Sequence, residues 1–283
     1  MEMAALLTAS VLGVTIQQVS KKAYNKKVAG GTFTFTALSI IFALIVFIFT
    51  SGGKFDFNPE ILPYCLGFAV AYGSASIGSF LAVGAGPLSL TSLMVQYSLI
   101  IPTIYGLIVG ETPSPFLYVG LALLFVSLLL VNLEKKGAEK KITLKWIIFV
   151  LIAFVANGAC STVQTIQQRT FEGAYKSEFM IIALITSIVA IGVAAVIFER
   201  KGLAKKIKTG AHWYIICGLA NGLVNLFVMM LAKYNPAIVF PVISAGGIIT
   251  TAIVGISVYK EKLSVMQIIG MVLGTASIVF LNL

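Results

Sequence analysis

The chain has 283 residues, of which 59% are hydrophobic and only 11% charged, with a mean hydropathy of +1.01 and a formal net charge of +10. Soluble domains carry about 25% charged residues, so the composition excludes a water-soluble globular protein and predicts an integral membrane protein. The positive charge gathers as lysines at the ends of apolar stretches, where they meet lipid headgroups, so it is not a nucleic-acid signal.

A membrane helix needs about 20 apolar residues. On that rule the sequence predicts ten helices, near 3–22, 31–50, 61–83, 88–110, 115–133, 146–168, 178–198, 212–232, 237–259 and 264–282. Helix 1 turns polar before its end, in TIQQVSKKAYNKK. It begins with Glu2 and lacks a basic leader, so it reads as a retained helix and not as a signal peptide. Helix 2 is rich in Phe and is expected to face lipid. Helix 3 carries the small-residue run AYGSASIGS, which lets backbones approach closely. Helix 4 holds Gln96, Tyr97, Ser98 and a mid-membrane Pro102; helix 5 is almost purely aliphatic. The basic connection 134–145 joins the halves and is the expected site of proteolysis. Helix 6 resembles helix 1 but is more polar. Helix 8 carries GLANGLVN, helix 9 Pro241 and Gly246-Gly247, and helix 10 Gly270 and Gly274 as a close-packing face. Cys65, Cys160 and Cys217 lie inside apolar helices and read as small core residues, with no disulfide framework.

The chain repeats itself. Residues 81–133 and 231–283 both run from a linker with proline (Pro87, Pro236), through an apolar helix, to Glu111 or Glu261, then Gly120 or Gly270, then a second apolar helix ending Asn-Leu. The offset is 150 residues throughout, and Thr15-Ile16-Gln17-Gln18 recurs at the same distance as Thr165-Ile166-Gln167-Gln168. A duplicated membrane unit is the sequence mark of a transporter, because two related halves can rock about a site between them. Equivalent carboxylates in opposite halves are expected to cap helix ends, not to form a catalytic pair.

These two blocks resemble the EamA-type domain of the drug/metabolite transporter superfamily, and the duplication covers essentially the whole chain. The resemblance implies an all-α membrane protein of ten transmembrane helices in two inverted five-helix repeats, 1–133 and 146–283, with a central cavity and alternating access. It also implies cytoplasmic termini. The charge pattern argues the other way. Sixteen of the twenty Lys and Arg, at 21–27, 135–145, 200–208 and 260–262, fall in odd-numbered connections, which the positive-inside rule places in the cytoplasm. One departure from the family pattern is the proline before the Glu: Pro102 stands unusually near it, and the second half has Gly246-Gly247 there, so helix flexing is expected to differ between halves.

Amides in hydrocarbon are costly without partners. Asn157, Ser161, Gln164 and Gln168 form one stripe on helix 6; Ser10, Gln17 and Lys21, with Gln18 beside them, form another on helix 1; Asn221 and Asn225 share a face of helix 8. Two readings stand: glue between helices, or the lining of a wet cavity. The cavity reading makes Gln17, Gln18, Tyr72, Tyr97, Asn157, Gln164, Gln168, Asn221 and Asn225 the candidate substrate-binding residues, with Lys21 as a possible anion contact. No acidic residue falls mid-helix, so a carboxylate that exchanges protons for a cation is missing. His212 beside Trp213 reads as an interfacial belt, and no Cys/His ligand spacing or phosphate loop occurs, so neither an enzyme nor a metal or cofactor is expected. The expectation is a carrier of a small polar neutral, zwitterionic or anionic solute, in the cytoplasmic membrane of a bacterium or archaeon. Its expected partners are the solute and the bilayer, without nucleic acid, and it is expected as a monomer because the duplication supplies both halves. The alternatives are a lipid or lipid-linked sugar flippase and, from another class, a membrane-embedded enzyme or a receptor.

Overall fold

A computed structural model describes residues 2–28, 30–53, 55–109, 114–133, 143–231 and 236–281. Every regular element described is helical. In chain order these are α1 (Glu2–Lys27), α2 (Thr32–Thr50), a 3-10 turn (Pro59–Ile61), α3 (Leu62–Ala85), α4 (Leu88–Gln96), a second 3-10 turn (Tyr97–Leu99), α5 (Ile100–Ile108), α6 (Pro115–Leu133), α7 (Leu144–Thr170), α8 (Lys176–Phe198), α9 (Leu203–Leu231), α10 (Pro236–Ser257) and α11 (Val265–Leu281). Seven of the described segments are long and apolar enough to cross a membrane, and three shorter apolar helices accompany them. Large apolar side chains stay exposed in stripes at helical spacing, as Ile185, Val189, Val193 and Val196 do on α8. Such a surface suits hydrocarbon and not water. These are the properties of an α-helical integral membrane protein.

The break between α4 and α5 follows from Pro102. Its ring nitrogen has no proton for the carbonyl four residues back, at Ser98, so the helix tightens into a 3-10 turn there. No such break occurs in α10. Gly246 and Gly247 lie within it, and a Cβ at either would meet Val11 or Val14 of α1, so the pair serves a close helix crossing.

Three sequence expectations are corrected. Helix 2 does not turn all its aromatics outward: Phe35 and Phe47 are buried where α2 lies against α8 and α9, while Ile48 and Phe49 stay exposed. Phe35 joins Tyr24 and Phe80 in an aromatic cluster with centroids 4.8–5.8 Å apart, within the range of favourable ring contacts. The polar end of helix 1 is still helix, through Lys27, because Lys22 and Asn25 find carbonyl partners on α3. Helix 8 starts at Leu203, so its lysines belong to helical turns and His212 sits well inside; Lys206 Nζ donates to the Gly30 carbonyl at 2.7 Å. The three cysteines are free and buried.

Long-range packing is ordered. α1 lies along α9 and α10, α3 along α7 and α8, α4 against α10, α5 against α7, and α6 along α11. The last contact is held by two hydrogen bonds. Ser127 Oγ donates to the Gly270 carbonyl, and Ser277 Oγ donates to the Gly120 carbonyl at 2.9 Å. Glu111, Asn282 and residues 134–142 of the basic connection lie outside the described residues.

Candidate functional site

Four of the predicted residues meet where α1, α3 and α9 face one another. Tyr72 of α3 donates its hydroxyl proton to Asn221 Oδ1 at 2.7 Å. Asn221 Nδ2 donates to Gln17 Oε1 at 2.9 Å, and Asn225 Nδ2 donates to the Asn221 backbone carbonyl at 2.8 Å. Gly13 on α1 clears Val224 and lets α1 and α9 approach closely, while Gly218 and Gly222 seat α9 against α2. All four side chains are half-buried. Neither Gln17 Nε2 nor Asn225 Oδ1 has a partner among the described residues, so the cluster keeps both a donor and an acceptor in reserve.

One helical turn further along α1 lies a second group. Lys21 Nζ donates to Ser79 Oγ at 3.0 Å, and Ser79 in turn donates to the buried Gln18 Oε1 at 3.5 Å. Gln17 and Lys21 are four residues apart and share a helix face.

The remaining candidates are placed elsewhere. Asn157 Nδ2 donates to Ser98 Oγ at 2.6 Å, beside the second 3-10 turn. Gln164 is half-buried with no hydrogen bond among the described residues. Gln168 Nε2 donates to Gln167 Oε1 at 2.6 Å, and Gln167 Nε2 to the Ala174 carbonyl at 3.2 Å, so this pair ties the end of α7 to the following turn. Tyr97 is buried against α6 and α11, where its hydroxyl meets Ser127 and lies over Gly274. It is not gathered with Tyr72.

The lysine-rich end of the bundle is closed by charged caps, one of them the Glu261 that the repeat singles out and the other Glu199, which motif reading does not. Glu199 accepts from the Phe33 and Thr34 amides and the Thr34 hydroxyl, at 2.9, 3.0 and 2.6 Å, and so caps the N-terminus of α2. Glu261 does the same for α4, accepting from the Leu88 and Ser89 amides and from Ser89 Oγ. A carboxylate at a helix N-terminus meets unpaired amides and the positive end of the macrodipole. Lys22 lies beside Glu261 and donates to the Val83 and Gly86 carbonyls. Tyr259, in the connection after α10, donates to the Val19 carbonyl at 3.3 Å; burial first and the Glu261 carboxylate second raise its phenol above the ordinary value, so it stays a neutral donor. Glu199 escapes motif reading because nothing in its spacing marks it; Lys22 stands out only as a charge at the inner end of helix 1, and Ser79 only as the last member of the small-residue run of helix 3.

No protein-family model matches the sequence, and no curated protein does. Among solved structures, one described only as the crystal structure of a protein is similar, with a TM-score of 0.67 and 12% identity over 99% of this chain and 98% of that one. At that identity the likeness shows a shared fold across the whole chain and no more.

Proposed function

We propose that the chain is a secondary carrier of the drug/metabolite transporter superfamily, moving a small polar organic solute by alternating access, as a facilitator or exchanger. The observation that carries this reading is the Tyr72–Asn221–Gln17 chain of hydrogen bonds. It lies well inside the helices, joins helices from both halves, and retains unspent donors and acceptors. Pure glue would consume them, because an unmet amide in hydrocarbon is costly.

The proposed architecture is ten spans in two inverted five-helix repeats. The α4–α5 segment counts as one span and the three shorter apolar helices complete the number. A shift of 150 residues takes α1 to α7, α2 to α8, α3 to α9, α4–α5 to α10 and α6 to α11. Under this exchange the α1–α9 packing becomes α7–α3, and α2–α9 becomes α8–α3. The Ser127–Gly270 bond becomes the Ser277–Gly120 bond. Such reciprocity supports a two-fold relation between the halves, and an odd number of spans per half makes the second copy inverted.

Reconstitution in liposomes tests the proposal. Vesicles preloaded with an unlabelled amino acid, sugar or carboxylic acid are expected to accumulate the same labelled solute by counterflow for at least one compound. Asn221→Leu should abolish that counterflow. Movement of labelled phospholipid with no movement of any solute would replace the reading with a flippase.

A further inference from the structure

We propose that the solute taken by this site carries an anionic group, a carboxylate or a phosphate, and that Lys21 is its partner. The proposal rests on the carrier reading for the purpose of the site, and on the surroundings of Lys21 for the charge. Lysines near helix ends ordinarily reach out to headgroups, and Lys26 and Lys27 stay exposed, their ammoniums over the rings of Tyr259 and Trp213. Lys21 does not. Its ammonium is turned into the bundle and held by Ser79 of α3 at 3.0 Å.

No carboxylate among the described residues pairs with it. Glu199 is committed to the start of α2, and Glu261 to the start of α4 and to Lys22. Asp56, Glu60, Glu172 and Glu178 lie in or beside the connections that precede α3 and α8, away from the end where Lys21 sits. Lys22, the next residue, supplies the contrast: it is buried and carries both carbonyl partners and a carboxylate. A cation drawn into a membrane bundle needs a counter-charge, and Ser79 meets only one of the three donors of an ammonium. Lys21 shares a helix face with Gln17, whose Nε2 is a further donor. An ammonium beside an amide donor on one helix face suits an oxyanion. The Asn225 Oδ1 acceptor, in the same cluster, suits an N–H or O–H on the rest of the solute.

The test uses the full-length protein in detergent and matched probes: glutarate against glutaramide, benzoate against benzamide, glycerol 3-phosphate against glycerol, and inorganic phosphate alone. Thermal unfolding reads apparent affinity. At least one anion is expected to bind ten-fold or more tighter than its uncharged partner, with the carboxylate and phosphate arms telling the two sources apart. Lys21→Gln should remove the preference and Lys21→Arg should keep it. The proposal is overturned if no anion raises the melting temperature at 10 mM, if uncharged partners bind equally, or if Lys21→Gln binds like the wild type. The anion-against-neutral comparison on the wild-type protein stands even where the variant fails to fold. Binding that depends on Lys21 without movement across liposomes would sink the carrier reading and leave the anion site. Counterflow of an uncharged solute at a rate unchanged by Lys21→Gln would do the reverse.

Discussion

Lys22 and Glu261 form an ion pair at 3.7 Å with both side chains almost wholly buried, and the same carboxylate caps α4. Removing one partner of such a pair leaves an uncompensated charge, at a cost of about 3–5 kcal/mol. Lys22→Met and Glu261→Gln are therefore each expected to lower the melting temperature sharply. The double variant should lose less than the sum of the two. A double-mutant cycle on the purified protein measures this; strict additivity would mean that the two groups are not coupled.

Gln164 and Gln168 lie on one stripe but predict opposite outcomes. Gln168→Leu leaves the buried Gln167 Oε1 without its donor and should cost about 1–3 kcal/mol of stability. Gln164→Leu breaks no bond among the described residues, so its melting temperature should stay near wild type while counterflow falls. Melting temperature and transport measured on the same two preparations decide the matter. A large loss of stability in Gln164→Leu would return that residue to the role of glue.

Gly274 and Gly192 provide a matched pair for the packing argument. A Cβ at Gly274 would collide with the Tyr97 hydroxyl, whereas one at Gly192 meets nothing within 4 Å. Gly274→Ala should destabilise. Gly192→Ala should be neutral or stabilise by up to about 1 kcal/mol, the difference in helix propensity. Thermal unfolding of both variants provides the comparison.

Transport is expected to run without an imposed proton or sodium gradient. The described carboxylates all stand at helix ends or in connections, and Glu199 and Glu261 are occupied as caps. Counterflow in vesicles with equal pH and equal sodium on both sides is the measurement. Strict dependence on a pH gradient would reveal a coupling group that this arrangement does not provide.

Helix positions in the apolar runs were legible from hydropathy alone, because length and apolarity fix them. The ends of α1 and α9 were not, since their lysines read as loop, while in the fold they are helical and bonded to carbonyls of neighbouring helices. The 150-residue offset pointed to the serine–glycine exchange through Gly120 and Gly270, but nothing in the sequence said that Ser127 and Ser277 would complete it. Amide periodicity located Gln17, Asn221 and Asn225 on helix faces. It could not say which amides meet, and so it grouped Tyr97 and Gln168 with them, whereas their partners are Ser127 and Gln167. Pairing across helices is a property of packing, invisible to spacing within one helix.

Tyr24 is fully buried, and two of its neighbours are glycines: a Cβ at Gly31 or at Gly210 would overlap its ring. A ring seated on bare backbone has no free volume into which to swing. Rotation of the Tyr24 ring alone therefore cannot open the contact among α1, α2 and α9. On the carrier reading, opening at this end is expected to require α1 to part bodily from the start of α2 and from the basic turns of α9. Larger side chains at Gly31 or Gly210 act as wedges, prising these helices apart where the wild-type chain lets them close.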